Sequence, residues 1–167
     1  MANLLQTEAW LEPGLRGKHI DQLVFICALP LYHIFALTAC CMFGIREGGL
    51  NILVPNPKDI PGFIKLLASK KVFHIFPAVN TLFNALMNHP NFGKINFSTM
   101  LVSIGGGMAV QKAVADRWQE LTGKPIAEGY GLSETSPVAC CNTPLIDAYT
   151  GHIGLDRKST RLNSSHT

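Results

Sequence analysis

The sequence predicts an α/β fold, a mostly parallel sheet with flanking helices, and three observations carry that expectation. Short apolar runs stop abruptly at proline or glycine: residues 23–29 before Pro30, 50–54 before Pro55 and 100–104 before Gly105. Stretches with apolar residues at helical spacing lie between the runs, so strand and helix alternate about four times. Turns rich in functional groups follow at residues 30–33, 105–107 and 128–134. Such alternation calls for crossover connections, which make the strands parallel and set helices on the sheet faces. Ligands in such sheets bind beyond the carboxyl ends of the strands, so the three turns are expected to converge at one edge.

Taken in order, residues 1–22 are mixed and mostly polar. Ala9-Trp10-Leu11 opens a packed segment that Pro13-Gly14 is expected to break. Residues 23–29, with Val24, Phe25 and Ile26, read as a buried strand. Residues 34–45 are apolar on all sides and run into Arg46 and Gly48-Gly49, the pattern of an internal helix with its stop signal. Residues 50–54 form a strand before Pro55-Asn56-Pro57. Over residues 60–71, Ile60, Phe63, Ile64 and Leu67 share one helical face, with Lys65, Lys70 and Lys71 outward. Residues 72–76 are strand up to Pro77, and a helix over 80–87 gathers Leu82, Phe83 and Leu86 on one side. Residues 100–104 return as strand. Residues 110–121 form an amphipathic helix with Val110, Val114, Trp118 and Leu121 inward and Gly123 as its C-cap. Pro125-Ile126-Ala127 leads as a short buried strand into residues 128–134, and residues 138–141 form one more strand.

Composition narrows the class. The chain has 167 residues, 47% hydrophobic and 15% charged, enough for one domain with a core. Three of the 14 Lys and Arg and one of the 11 Asp and Glu fall in residues 156–167, which leaves 11 against 10 elsewhere. No basic stripe remains, which excludes nucleic acid as a partner. The five cysteines, Cys27, Cys40, Cys41, Cys140 and Cys141, are odd in number and lack CxxC spacing, so neither a zinc site nor a disulfide framework is expected. They read as small buried hydrophobes in a reducing, cytoplasmic setting. Residues 1–22 lack the pattern of a signal peptide. Residues 22–45 carry no Asp, Glu, Lys or Arg and are long enough to span a bilayer. Pro30, Tyr32 and His33 interrupt them, so a buried strand and a buried helix account for this stretch better. Residues 156–167 hold Leu162 as their sole large apolar residue. The domain is therefore set at 1–155, with 156–167 a non-native or disordered tail.

Glu128-Gly129-Tyr130-Gly131-Leu132-Ser133-Glu134-Thr135 is the run that reads as chemistry. Glycines allow close backbone approach to a ligand. Tyr130 offers a flat face for stacking, Ser133 a hydroxyl donor for a phosphate oxygen, and Glu134 a hard oxygen ligand suited to Mg²⁺ beside phosphates. Together these suit a nucleotide. A plain Gly-rich turn, with Glu134 solvated or capping a helix, accounts for the same residues structurally. His33 has an equally plain alternative as a satisfied buried histidine.

The order Tyr-Gly-x-Ser-Glu resembles the adenylate-binding signature of the AMP-forming acyl- and aryl-CoA synthetases. Ala28-Leu29-Pro30-Leu31-Tyr32-His33-Ile34-Phe35-Ala36-Leu37, Asn56-Pro57-Lys58-Asp59-Ile60-Pro61-Gly62, Val79-Asn80-Thr81-Leu82-Phe83-Asn84-Ala85-Leu86, Gly105-Gly106-Gly107-Met108 and Gly151-His152-Ile153-Gly154-Leu155 resemble the bacterial long-chain fatty-acid–CoA ligases within that group. The resemblance covers residues 1–155 and implies part of the large N-terminal domain of an adenylate-forming enzyme. It implies condensation of a fatty acid with ATP to an acyl-adenylate and pyrophosphate, followed by displacement of AMP by the thiol of CoA, the co-substrate. Tyr130 would stack on adenine, and the backbone of Gly105, Gly106 and Gly107 would line the base and the acyl carbonyl. Met108, Glu128, Gly129, Gly131 and Leu132 fall in the same nucleotide site. Ser133, where the family has Thr, would contact the α-phosphate, Glu134 would hold Mg²⁺, and His33 would sit near the reacting carboxylate. The resemblance also admits peripheral membrane association and a homodimeric parent. No Ser/Thr/Gly-rich loop ending in Lys precedes Leu23, and no ribose-binding Asp, hinge or catalytic Lys follows Leu155. The expectation is an internal fragment of a ligase, inactive alone. The competing reading is a Rossmann-like nucleotide-binding module, against which Gly105-Gly106-Gly107-Met108 lacks the GxGxxG spacing.

Overall fold

The computed structural model describes residues 2–156. It opens with a helix where the sequence offers no clean element: α1 (Ala2–Leu15), which buries Asn3, Leu4, Thr7, Leu11 and Gly14. Two of those positions are polar, which masks the helical period. Asn3 Nδ2 donates to the Val138 carbonyl at 3.0 Å and Thr7 Oγ1 donates to the Asn3 carbonyl at 2.8 Å, so both are satisfied in the interior. Pro13 lies inside the helix near its end rather than breaking it.

β1 (Val24–Cys27) is buried at every position, as its apolar run requires. The next helical stretch is continuous but not uniform: α2 (Ile34–Ala36), a π-helical turn (Leu37–Met42) and α3 (Phe43–Arg46). Its burial is one-sided, with Ala36, Cys40 and Phe43 inside but Met42 and Ile45 exposed. β2 (Leu50–Leu53) follows. α4 (Ile60–Ser69) is capped by Asp59, whose Oδ1 accepts from the Gly62 amide at 3.0 Å, and it buries Phe63, Ile64 and Leu67 as their spacing predicts. β3 (Ile75–Ala78) runs through Pro77 instead of stopping there. The ladder to β1 carries the single pair Phe25–Ile75, so the missing Pro77 N–H falls beyond it.

α5 (Asn80–Met87), β4 (Val102–Gly105) and α6 (Lys112–Thr122) follow, the last closed by Gly123 at φ 71°. Leu121, expected inward, is exposed. Thr122 closes the last turn instead, donating from Oγ1 to the Trp118 carbonyl at 2.7 Å. β5 (Ile126–Gly131), β6 (Val138–Cys141) and β7 (Leu155–Asp156) complete a seven-stranded sheet in the order β2-β1-β3-β4-β5-β6-β7. The ladders from β2 to β5 are parallel, and β6 and β7 add antiparallel.

Helices cover both faces. α4, α5 and α6 pack with Ile26, Phe76 and Ile126 on one side, and α1 and the helix through Phe43 pack with Phe25, Ile75 and Ile104 on the other. Trp118 is fully buried among Phe76, Phe83, Phe92 and Phe97, and its indole N–H donates to Ser103 Oγ at 3.0 Å. Among the described residues no helix is long and apolar enough to cross a membrane, and no disulfide joins the cysteines. Of the expected tail, Asp156 pairs with Cys140; the rest lies outside the described residues.

Candidate active site

The three turns converge at the carboxyl edge of the sheet, as the topology implies. They enclose a cavity of about 340 Å³ lined by His33, Gly106, Gly107, Gly129, Tyr130, Gly131, Leu132, Ser133 and Glu134. Residues 128–131 are strand rather than loop. β5 continues past the end of β4, where Gly105 stands opposite Glu128, and pairs its last residues with β6 alone.

Glycine is required where the backbones touch. A Cβ on Gly131 would run into the Pro137 carbonyl, at the point where the β5–β6 register shifts. One on Gly106 would lie 3.1 Å from the Phe35 ring, and Gly107 turns the chain at φ 76°. Beyond β5, Leu132 N donates to the Pro137 carbonyl at 3.0 Å and to Thr135 Oγ1 at 2.9 Å. The Thr135 hydroxyl is thereby committed to the turn. Ser133 and Glu134 stay exposed at the rim, and none of the three ion pairs among the described residues takes up the Glu134 carboxylate. Tyr130 is half-exposed and lines the cavity. His33 caps α2, its Nδ1 accepting from Phe35 N at 3.2 Å, which leaves Nε2 as the nitrogen available to a ligand.

Three motif residues do not line this cavity. Gly105 faces the opposite helical layer, where a Cβ would meet Ile126 Cγ2 at 2.8 Å. Met108 is exposed outside it. Glu128 is buried at 6% exposure, with Oε2 lacking any hydrogen-bond partner among the described residues. Burial pushes its carboxyl above the usual range, offset in part by the Val110 N–H and by His152.

Sequence reasoning missed the apolar wall: Ile34, Phe35, Ile104, Pro137, Val138 and Cys141. These residues read as ordinary core, and only the β5–β6 register, with Gly129 opposite Cys141, brings the last of them to the site. Much of the same wall continues into an apolar recess of about 30 Å³ bounded by Phe35, Ala39 and Trp10.

No group of three His, Cys, Asp or Glu among the described residues forms a metal cage. Glu134 alone offers a carboxylate at the cavity. That fits Mg²⁺, which is held by one or two carboxylates together with substrate phosphates and water.

An α/β sheet carrying a cavity at its carboxyl edge, framed by a glycine turn and a Tyr-Gly-x-Ser-Glu run, defines the class. The family model described as AMP-binding enzyme matches residues 1–162, and the chain belongs to that family. It is 49% identical over 160 residues to a long-chain-fatty-acid–CoA ligase of Salmonella typhimurium, covering 96% of this chain and 28% of the relative. A long-chain-fatty-acid–CoA ligase of Haemophilus influenzae is 45% identical over 163 residues, covering 97% and 28%. The chain thus spans little more than a quarter of the length of these relatives. Among solved structures, the anthranilate CoA ligase AuaEII in complex with anthranoyl-AMP matches with a TM-score of 0.75 at 21% identity, over 92% of this chain and 29% of that one. ATP-bound MatB from Rhodopseudomonas palustris matches with a TM-score of 0.71 at 24% identity, over 92% and 29%. These likenesses show the fold.

Proposed function

We propose that this chain is the part of an AMP-forming long-chain fatty-acid–CoA ligase that binds the nucleotide and the head of the acyl chain. The observation that carries this reading is the convergence of His33, Gly106, Gly107, Tyr130, Ser133 and Glu134 around one cavity whose far wall is apolar. The reaction joins a fatty acid to ATP as an acyl-adenylate with loss of pyrophosphate, and CoA then displaces AMP.

Each residue has a physical task in that reaction. Tyr130 stacks on the base. The Gly106 and Gly107 backbone admits the ligand closely because no Cβ intervenes. Ser133 donates its hydroxyl to the α-phosphate. Glu134 holds Mg²⁺, which when bound neutralises charge on the phosphate oxygens. His33 presents Nε2 to the acyl carboxylate, and the recess behind Phe35 receives the first carbons of the chain. Charge builds on phosphoryl oxygens during transfer, so fixed donors placed there lower the barrier electrostatically. The chain alone is expected to be inactive, since it spans 28% of its relatives and positioning contributions multiply.

Titrating isotope-labelled chain with a non-hydrolysable acyl-adenylate analogue tests the reading. Amide shifts confined to residues 33–35, 104–108 and 128–134 are expected. Scattered shifts, or none at saturating analogue, would overturn it.

A further inference from the structure

Asn142 directly follows β6 and is buried at 7% exposure, an unusual place for an amide. Its partners explain the burial. The Asn142 N–H donates to the Glu128 carbonyl at 2.9 Å, beside the Gly129–Cys141 pair of the hairpin. The Asn142 carbonyl accepts from the Trp10 indole of α1 at 2.6 Å. Its side-chain Nδ2 donates to the His152 carbonyl at 2.6 Å and to Thr150 Oγ1 at 3.4 Å. One buried residue thus joins the strand that carries Tyr130 to the segment 149–154.

That segment lines no part of the cavity, although its Gly-His-Ile-Gly run belongs to the sequence signature. Its far end lies against β6: a Cβ on Gly154 would run into the backbone of Cys141 and Asn142. At its near end Tyr149 packs on the core shared with α4, α5 and α6, and its hydroxyl donates to the Val110 carbonyl at 2.9 Å. Val110 ends the connection that the glycine turn begins, and its side chain stands where a Gly105 Cβ would go. The segment therefore crosses from the β5–β6 hairpin to the glycine turn. It does so where the β4–β5 ladder has ended, with Gly105 opposite Glu128.

We propose that Asn142 and Tyr149 are positioning residues for the nucleotide cavity, fixing the Gly105–Gly107 turn and the Tyr130 strand in one relation before a ligand arrives. Neither lines the cavity, so both act through other residues. The glycine turn is already tied behind, by Gly106 N to the Ala78 carbonyl at 3.3 Å and Gln111 N to Asn80 Oδ1 at 3.0 Å. Those bonds fix it to β3 and α5, not to the strand across the cavity. Three glycines in a row resist displacement weakly, so a tie to the opposite wall decides how wide the cavity stands. The path Glu128–Asn142–His152 and Tyr149–Val110 supplies that tie. That the cavity takes a nucleotide rests on the ligase reading; the coupling of its two walls does not.

Two substitutions cut the path at different points. Tyr149→Phe removes only the hydroxyl and keeps the ring in the core. Asn142→Asp keeps the shape but replaces the Nδ2 donor with an oxygen facing the His152 carbonyl. Amide spectra of the ligand-free full chain are compared first, for the wild type, both single variants and the double. Asn142→Asp is expected to shift the amides of residues 105–110, to which no hydrogen bond joins it among the described residues. In the Tyr149→Phe background that shift disappears, because the path is already cut. Titration with the non-hydrolysable acyl-adenylate analogue follows. Each single variant weakens binding by about 10-fold, below the roughly 100-fold that an ångström of misplacement can cost. The double variant binds no worse than the weaker single, as residues on one path require. A residue that only stabilised the fold would lower Tm and leave the affinity of the folded chain unchanged.

The inference is overturned if Asn142→Asp leaves residues 105–110 unmoved, if it moves them equally with and without the Tyr149 hydroxyl, or if both single variants bind like the wild type. Should Asn142→Asp fail to fold, Tyr149→Phe decides alone. Shifts that reach Gly105–Gly107 together with weaker binding support the inference; shifts confined to the neighbours of Val110, or unchanged binding, overturn it. A wild type that does not bind the analogue overturns the ligase reading instead, and the ligand-free spectra then decide the coupling by themselves.

Discussion

Replacing Gly105, Gly106 and Gly107 one at a time by alanine adds the same methyl at three adjacent positions, and the structure gives each a different outcome. At Gly105 the new Cβ overlaps Val110 Cγ2 and lies 2.8 Å from Ile126 Cγ2. Both neighbours are buried and β-branched, hence stiff at χ1. Overpacking of this kind costs about 1–3 kcal/mol, and each kcal/mol lowers Tm by about 2–4 °C in a chain of this size. At Gly106 the Cβ meets Phe35 ring atoms at 3.1 and 3.2 Å, a contact that a small ring shift relieves. Its methyl enters the cavity, so the stability cost is smaller than at Gly105 while ligand affinity falls by roughly 10-fold or more, as for one misplaced carbon in a tight pocket. At Gly107 the space is open, with Val79 Cγ1 at 3.6 Å, but φ is 76°. An L side chain there costs about 1–2 kcal/mol from the backbone alone. Thermal unfolding and titration with the acyl-adenylate analogue, run on all three variants, separate the effects. If Gly105→Ala melts like the wild type, or if Gly106→Ala binds as well as it, the assignment of faces at the end of β4 is wrong.

Three further outcomes follow from other groups. In a full-length ligase of the kind proposed above, Glu134→Gln is expected to slow adenylation by about 10²–10³, with the loss eased by excess Mg²⁺. Tyr130→Ala weakens nucleotide binding by about 1–3 kcal/mol at any Mg²⁺ level, and pyrophosphate release against both concentrations tells them apart. Burial holds the His74 imidazole below its usual pKa while its Nδ1 accepts from Val24 N at 3.0 Å. Its contribution is therefore intact above the unfolded value of about 6.5 and lost as pH falls through the lower folded value; a urea midpoint that stays level from pH 7.5 to 5 would refute this. Glu128 is the opposite case, with a raised folded pKa. Its contribution is present below the unfolded value of about 4.3 and lost as pH rises through the folded one. Glu128→Gln should thus gain urea midpoint over wild type at pH 7.5 and not at pH 4; an equal difference at both refutes it.

Where local pattern and final burial agree, the sequence is explicit. Phe63, Ile64 and Leu67 keep one helical face, Gly123 takes the left-handed C-cap, and the apolar runs at 23–29 and 100–104 become strands of a mostly parallel sheet. Legibility fails where a long-range partner replaces hydropathy. α1 stays hidden because Asn3 is buried by a bond to Val138, 135 residues away. Pro77 stops no strand because the ladder on that side has already ended. At the site the polar residues announce themselves by type and order, whereas Phe35, Ile104 and Cys141 are chemically indistinguishable from core. Their role depends on which face of the sheet ends at a cavity, and no short-range spacing records that.

The antiparallel hairpin is what turns a common sheet edge into a shaped site. A parallel ladder alone would leave everything after Glu128 as mobile connection, because β4 ends at Gly105. Pairing with β6 carries β5 on to Gly131, so Gly129 and Tyr130 are held by cross-strand partners Cys141 and Cys140. Gly131 can follow only because it lacks a Cβ against Pro137, and Leu132 is then fixed by bonds to Pro137 and Thr135. Ser133 and Glu134 therefore extend from a backbone already tied at both ends. Groups anchored in this way hold their geometry before any ligand arrives, which is the condition for fixed dipoles to stabilise developing charge. By that logic the most damaging single change near the site is not at Ser133 or Glu134. It is Gly131→Ala, which breaks the register on which both depend.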